Sequence, residues 1–101
     1  MEWYQYLACF WAGAFFTNVI PHLVHGVSGN KFPTPFSKPR GIGLSSPTTN
    51  VIWALINLVI GYQLFTAAKM NGGRLPLLVF FAGIAFMSIY VSKHFQKKYK
   101  E

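Results

Sequence analysis

The sequence predicts an all-α integral membrane protein with three transmembrane helices and a long structured loop between the first two. Of its 101 residues, 52% are hydrophobic and 11% are charged, whereas about 25% of the residues of an average soluble domain are charged. Three apolar runs, at 3–20, 50–68 and 75–92, approach the roughly 20 residues that cross a bilayer. These runs contain no Lys, Arg, Asp or Glu. We therefore interpret residues 1–101 as a single three-helix transmembrane domain.

The first helix is predicted over residues 3–27. Its apolar run can cross a membrane only as a helix, because a helix satisfies its own backbone hydrogen bonds. The helix is expected to continue through Pro21, which removes one backbone hydrogen bond and predicts a kink. Asn18, His22 and His25 recur at helical spacing. These three side chains are therefore predicted to form one polar stripe near the end of the helix.

The segment 28–46 is predicted to be a basic, structured loop rich in Pro and Gly. It is too long for a simple turn, and Phe32 and Phe36 give it an apolar side that can pack on the helices. Lys38 and Arg40 precede two glycines and a helix start, a combination that favours an anion site for a phosphate, a carboxylate or a lipid headgroup. The alternative is an interfacial loop whose basic residues contact headgroups nonspecifically.

The second helix is predicted over residues 47–69. Ser46 is the expected N-cap, and Pro47 occupies the first helical position, where its missing N–H does no harm. Small residues on one face of a helix let another helix approach, and asparagines can bond across such an interface. Trp53 flanks the face that we predict to be packed in this way. That face consists of Asn50, Ala54, Asn57 and Gly61.

The third helix is predicted over residues 75–95. A turn rich in Gly and Asn precedes it at 70–74, and Pro76 suits a first helical turn. The helix is expected to run past its apolar segment into a basic tail at 93–101. To join His22 and His25 at a metal, His94 would have to come from the far end of this helix.

The distribution of Lys and Arg predicts an orientation by the positive-inside rule. Three basic residues lie in the 28–46 loop and four in the 93–101 tail, and three spans bring these two segments to the same side. The other side carries Lys69 and Arg74. We predict a plasma or inner membrane, with the N-terminus outside and the C-terminus in the cytoplasm, next to anionic headgroups. The basic residues flank the apolar runs, so no nucleic-acid partner is predicted.

The two polar stripes are predicted to lie at the same depth, in the cytoplasmic half of the membrane. Polar side chains inside a membrane usually face a cavity or the interior of a helical bundle. The structural alternatives are asparagines that only hold helices together and histidines that only contact interfacial water. The stripes and the loop together predict a site for a small polar or anionic ligand. Its predicted residues are Asn18, His22, His25, Lys38, Arg40, Ser46, Asn50, Trp53 and Asn57.

The functional hypothesis is a protein that binds a ligand at this site, with transport as an extension of that role, and that forms a homo-oligomer around the site. An accessory or anchor subunit of a larger membrane complex, with a quinone or haem nearby, is the alternative, and a membrane enzyme that acts on lipid is a weaker one. No catalytic residues are predicted, because the two carboxylates, Glu2 and Glu101, lie outside the apolar runs. No metal site is predicted either, because His22 and His25 alone make a poor one.

Overall fold

The computed structural model describes residues 1–96, which form three helices: α1 (Trp3–Val27), α2 (Pro47–Ala68) and α3 (Arg74–Phe95). The prediction of an all-helical chain is confirmed. Each helix is long and apolar enough to cross a membrane. The predicted helix limits agree with the observed ones to within one residue. Residues 97–101, most of the predicted basic tail, lie outside the described residues.

The helices begin and end where local sequence signals place them. The Ser46 side chain accepts a hydrogen bond from the backbone N–H of Thr49 at 3.1 Å, and Pro47 follows at the first helical position. This cap satisfies one of the N–H groups that a helix start leaves without an internal partner. At the other end, Lys69 adopts a left-handed conformation and closes α2. Helix α1 continues through Pro21, as predicted.

Helix α1 is the central element of the molecule. Helices α2 and α3 both pack on α1, whereas no Cα atom of α2 lies within 8 Å of a Cα atom of α3. Contact between α2 and α3 is made by side chains, as between Phe65 and Phe80, whose ring centroids are 5.9 Å apart. Much of the α2 and α3 surface is consequently exposed and apolar.

The crossing of α1 and α3 depends on small residues. A Cβ atom on Gly83 would collide with the carbonyl oxygen of Phe10, and one on Gly13 would collide with that of Phe80. Cys9, the lone cysteine, is fully buried in this region of α1. The two backbones therefore touch, which is how helices in membranes gain contact area when there is no water to expel.

The predicted packing face of α2 lies against α1. All four of its residues are buried. A Cβ atom on Gly61 would stand 2.8 Å from the ring of Phe16 on α1, so the glycine makes room for that ring. Gly26 near the end of α1 makes similar room for Val51 at the start of α2. Small residues thus mark both ends of the α1–α2 interface.

The loop between α1 and α2 folds back across the ends of the helices. Phe32 and Ser45 form a short antiparallel bridge, with N–H···O distances of 3.2 and 3.0 Å. The carbonyl oxygen of Thr34 accepts hydrogen bonds from the N–H and hydroxyl of Ser37 and from the N–H of Gly41. Since Phe32 and Thr34 are both buried, the loop closes one end of the helix assembly.

Candidate functional site

Asn50 joins α1, α2 and the loop. Its side chain is fully buried, and its Nδ2 donates to the carbonyl oxygens of Phe32 at 2.8 Å and Ser46 at 3.1 Å. Its Oδ1 lies 2.7 Å from Nδ1 of His22. Both ends of the amide are thus engaged by the protein. Asn50 holds the loop and positions His22, and no part of it is left for a ligand.

The Asn50 contacts determine which nitrogen of His22 carries a hydrogen. Because Nδ2 of Asn50 points at carbonyl oxygens, the atom facing His22 is the Oδ1 acceptor. His22 must therefore donate from Nδ1, and the neutral ring then carries its lone pair on Nε2. No described residue forms a hydrogen bond with Nε2.

His22 is only 2% exposed. In the described part of the chain, no fully buried side-chain nitrogen or oxygen lacks a hydrogen-bond partner. Since Nε2 has no partner, it is not fully enclosed by protein atoms. His22 lines a cavity, and we conclude that Nε2 is accessible from that cavity.

A second pair of polar side chains joins α1 and α2. Nδ2 of Asn18 donates to Oδ1 of Asn57 at 3.1 Å, and Nδ2 of Asn57 donates to the carbonyl oxygen of Trp53 at 2.8 Å. Asn57 is buried and engaged at both ends. Asn18 is half-buried, lines the same cavity as His22, and accepts no hydrogen bond at Oδ1 from a described residue.

Aromatic rings surround His22. Its ring stands edge-on to those of Phe32, Trp53 and Phe95, with centroid distances of 5.5, 6.5 and 5.8 Å. Edge-to-face contacts of this kind favour a fixed ring orientation. Together with the Asn50 hydrogen bond, they hold the His22 imidazole in one position.

The cavity beside His22 has a volume of about 170 Å³. Residues of all three helices and of the loop line it, and α2 and α3 are not in backbone contact with each other. The lining residues are Asn18, His22, Pro33, Thr34, Pro35, Gly41, Trp53, Met87, Tyr90, Val91, His94 and Phe95.

His94 also lies at this cavity. Its Nε2 donates to the carbonyl oxygen of Gly41 at 2.7 Å, which ties the end of α3 to the loop. Gly41 has a φ of 72°, in the left-handed region that glycine adopts most easily. Three antiparallel helices bring the end of the third beside the first loop, and this topology alone could have placed His94 here.

The other predicted site residues lie outside the cavity. The ring of His25 stacks on Phe32, with centroids 4.3 Å apart and planes at 13°. Lys38 and Arg40 are exposed and line a separate groove on the outer side of the loop. Ser46 is exposed and caps α2. Of the nine predicted residues, the cavity is lined by Asn18, His22 and Trp53.

The remaining lining residues come from the loop and from the second half of α3. Met87, Tyr90 and Val91 follow one another at helical spacing on α3, but in the sequence they are part of a continuous apolar run. Such a run carries no signal of which face meets a cavity. Pro33 and Thr34 were equally inaccessible to sequence reasoning, because the path of an irregular loop depends on contacts with distant residues.

Side chains that line the cavity include hydrogen-bond acceptors, among them His22 and Asn18. Among residues 1–96, no group of three or more His, Cys, Asp and Glu side chains could hold a metal ion. Comparison with known protein families, curated proteins and solved structures finds no match to this chain. The cavity geometry is therefore the basis for any functional conclusion.

Proposed function

We propose that this chain is an integral membrane protein that binds a small ring-sized ligand in the cavity beside His22. The observation that carries the proposal is the state of His22. Its side chain is 2% exposed, Nδ1 is engaged by Asn50, and Nε2 faces the cavity with no partner in the described chain. Polar side chains kept at the interior of a membrane protein mark functional sites.

A membrane location is supported by the outer surfaces of α2 and α3. Large apolar side chains there are more than half exposed, among them Val59, Leu77, Leu78, Phe81 and Ile89. Such surfaces are stable against lipid, whereas in water they would cause aggregation. The basic residues of the loop support an orientation with the loop on the cytoplasmic side and the N-terminus outside.

The size of the cavity supports a ligand no larger than one six-membered ring. A cavity of about 150 Å³ in another protein holds benzene, and the volume here is about 170 Å³. Pockets for drug-sized molecules measure about 300–1,000 Å³. The volume therefore favours a single ring, such as that of a quinone, over a haem.

The cavity supports a neutral ligand better than the anionic one considered from the sequence. Among residues 1–96, its lining includes no Lys or Arg, since Lys38 and Arg40 line a separate groove. The cavity is also formed by one chain, so binding does not require a homo-oligomer. Transport would need a route out of the cavity to the other side of the membrane, and we do not include it in the proposal.

A pair of matched substitutions on α3 tests the proposal. Val91 lines the cavity, whereas Ile89 is 59% exposed on the outer side of the same helix. Val91→Phe should fill the cavity and weaken binding of ring-sized probes at least about tenfold. Ile89→Phe adds the same side chain on the outside and should leave binding unchanged. Ligand-observed NMR with phenol and toluene, on protein in lipid nanodiscs, measures the dissociation constants.

Two results would contradict the proposal. One is that neither phenol nor toluene binds the wild-type protein above the signal from empty nanodiscs. Equal binding to the wild-type and Val91→Phe proteins is the other, because it would locate the probes elsewhere. Thermal unfolding of both variants provides the control for folding.

A further inference from the structure

We infer that the ligand of this cavity is a phenolic ring, which donates hydroxyl hydrogen atoms to side-chain acceptors on α1 and α3. The inference rests on the proposed function and adds the chemical class of the ligand. It is carried by the hydrogen-bond roles of three side chains that line the cavity, and by the apolar surfaces between them.

The first two acceptors belong to α1. His22 donates from Nδ1 to Asn50, so its neutral ring presents the Nε2 lone pair to the cavity. Asn18 donates from Nδ2 to Asn57, and the oxygen at the other end of its amide accepts no hydrogen bond from a described residue. The spacing of four residues puts the two side chains on neighbouring turns of α1, on the same face.

The third acceptor belongs to α3. His94 donates from Nε2 to the carbonyl oxygen of Gly41. By the reasoning used for His22, its neutral ring carries the lone pair on Nδ1. No described residue forms a hydrogen bond with that atom. The residues that line the cavity thus include acceptors on two helices, and a ligand that complements them presents O–H or N–H groups.

Donor groups also line the cavity. Nδ2 of Asn18 carries two hydrogens and gives one to Asn57, the Thr34 hydroxyl shares a hydrogen bond with that of Ser45, and Tyr90 and Trp53 can donate nearer to the surface. A carboxylate, a phosphate or an oxidised quinone would bring an acceptor atom against the lone pair of His22, which is buried. A phenol or hydroquinone hydroxyl would donate to His22 and can also accept from Asn18, which is the more favourable arrangement.

The apolar part of the wall determines the ring type. Met87, Val91 and Phe95 lie on one side of the cavity and belong to α3. A sugar ring has hydroxyl groups around its whole edge, and those facing these side chains would lose their partners in water. A phenolic ring makes favourable contacts with Met and Phe side chains, and its only polar atoms are those of its hydroxyl groups.

Phenol and toluene provide the test, because they have nearly the same shape and differ in one hydroxyl group. The protein is labelled with ¹⁵N-histidine in nanodiscs, and the dissociation constants are expressed as concentrations in the membrane. We expect phenol to bind at least about tenfold more tightly than toluene, since it pairs an acceptor that toluene leaves unpaired. We also expect phenol to move the Nε2 resonance of His22.

The resonances of His25 are the internal control, because its ring stacks on Phe32 and does not line the cavity. Phenol should leave them in place. Equal affinities for phenol and toluene, or an Nε2 resonance of His22 that does not respond to bound phenol, would overturn the inference. In both of these cases the ring still binds and the proposed function stands. Absence of binding by both probes would overturn the proposed function itself.

Discussion

At the scale of single residues, Asn50 is the side chain on which the site depends most. One amide group contacts the loop at Phe32, its own helix start at Ser46, and α1 at His22. Asparagine suits this position because it combines a donor and an acceptor in a small, uncharged side chain. The result is a defined tautomer at His22, which places a lone pair in the cavity.

We predict that Asn50→Leu destabilises the protein by about 3 kcal/mol, because it leaves the Nδ1–H of His22 buried without a partner and removes one of the hydrogen bonds that the carbonyl oxygen of Phe32 accepts. The loss should be greater than for Asn57→Leu, since Asn57 bonds only to Asn18 and to a carbonyl of its own helix. Denaturant unfolding in detergent micelles measures both free energies of unfolding.

Amide hydrogen exchange provides the second measurement on these two variants. The N–H of Phe32 and of Ser45, which form the loop bridge, should exchange faster in Asn50→Leu than in Asn57→Leu. The interpretation of Asn50 as the residue that holds the loop would be wrong if both variants left this exchange at its wild-type rate.

At the scale of helices, α1 determines the arrangement of the other two. It contacts α2 through amide side chains and Gly61, and it contacts α3 through backbone atoms around Gly13 and Gly83. The two interfaces leave the backbones of α2 and α3 out of contact, and side chains of both helices line the cavity. The small residues of α1 and α3 therefore determine both how the helices pack and how the cavity is formed.

We predict that Gly83→Ala destabilises the protein by about 1–3 kcal/mol, because its Cβ atom would collide with the backbone oxygen of Phe10 and force α1 and α3 apart. Gly73→Ala is the matched control. Its added Cβ atom would come within 3 Å only of the side-chain oxygen of Asn71, which is flexible and can move away. Thermal unfolding in the same detergent compares them. Equal unfolding temperatures for the two variants would show that the close crossing is not needed.

At the scale of the whole molecule, the distribution of basic residues predicts an orientation in the membrane. The loop that carries Lys31, Lys38 and Arg40 lies at the opposite end of α2 from the turn at 70–73. The positive-inside rule assigns the loop to the cytoplasm. With this orientation, the cavity would lie in the cytoplasmic half of the bilayer.

We predict that a membrane-impermeant maleimide labels Asn71→Cys and not Lys38→Cys in intact cells. Both positions are exposed, and Cys9→Ala is used as the background because Cys9 is the native cysteine. Lys38→Cys should become reactive after the cells are permeabilised, which is the control for its accessibility. The reverse labelling pattern would mean that the loop and the cavity face the outside.

Helix number, helix limits and the polar stripes could be predicted from the sequence. Each follows from local properties: the length of an apolar run, a Ser-Pro start, and spacings of three and four residues. The match of Asn18 and His22 to Asn57 and Asn50 follows from these properties, because two antiparallel helices of known direction bring equal depths together. These local properties do not indicate which of the nine predicted site residues line the cavity.

The amino-acid sequence by itself determined that this chain forms three membrane-length helices with polar groups near the loop. Only the tertiary structure decided that His94 and the α3 side chains complete the cavity, and that Lys38 and Arg40 face away from it. The reason is the range of the interactions. Helices form through hydrogen bonds four residues apart, whereas the site depends on His22–Asn50 and His94–Gly41 hydrogen bonds that span 28 and 53 residues.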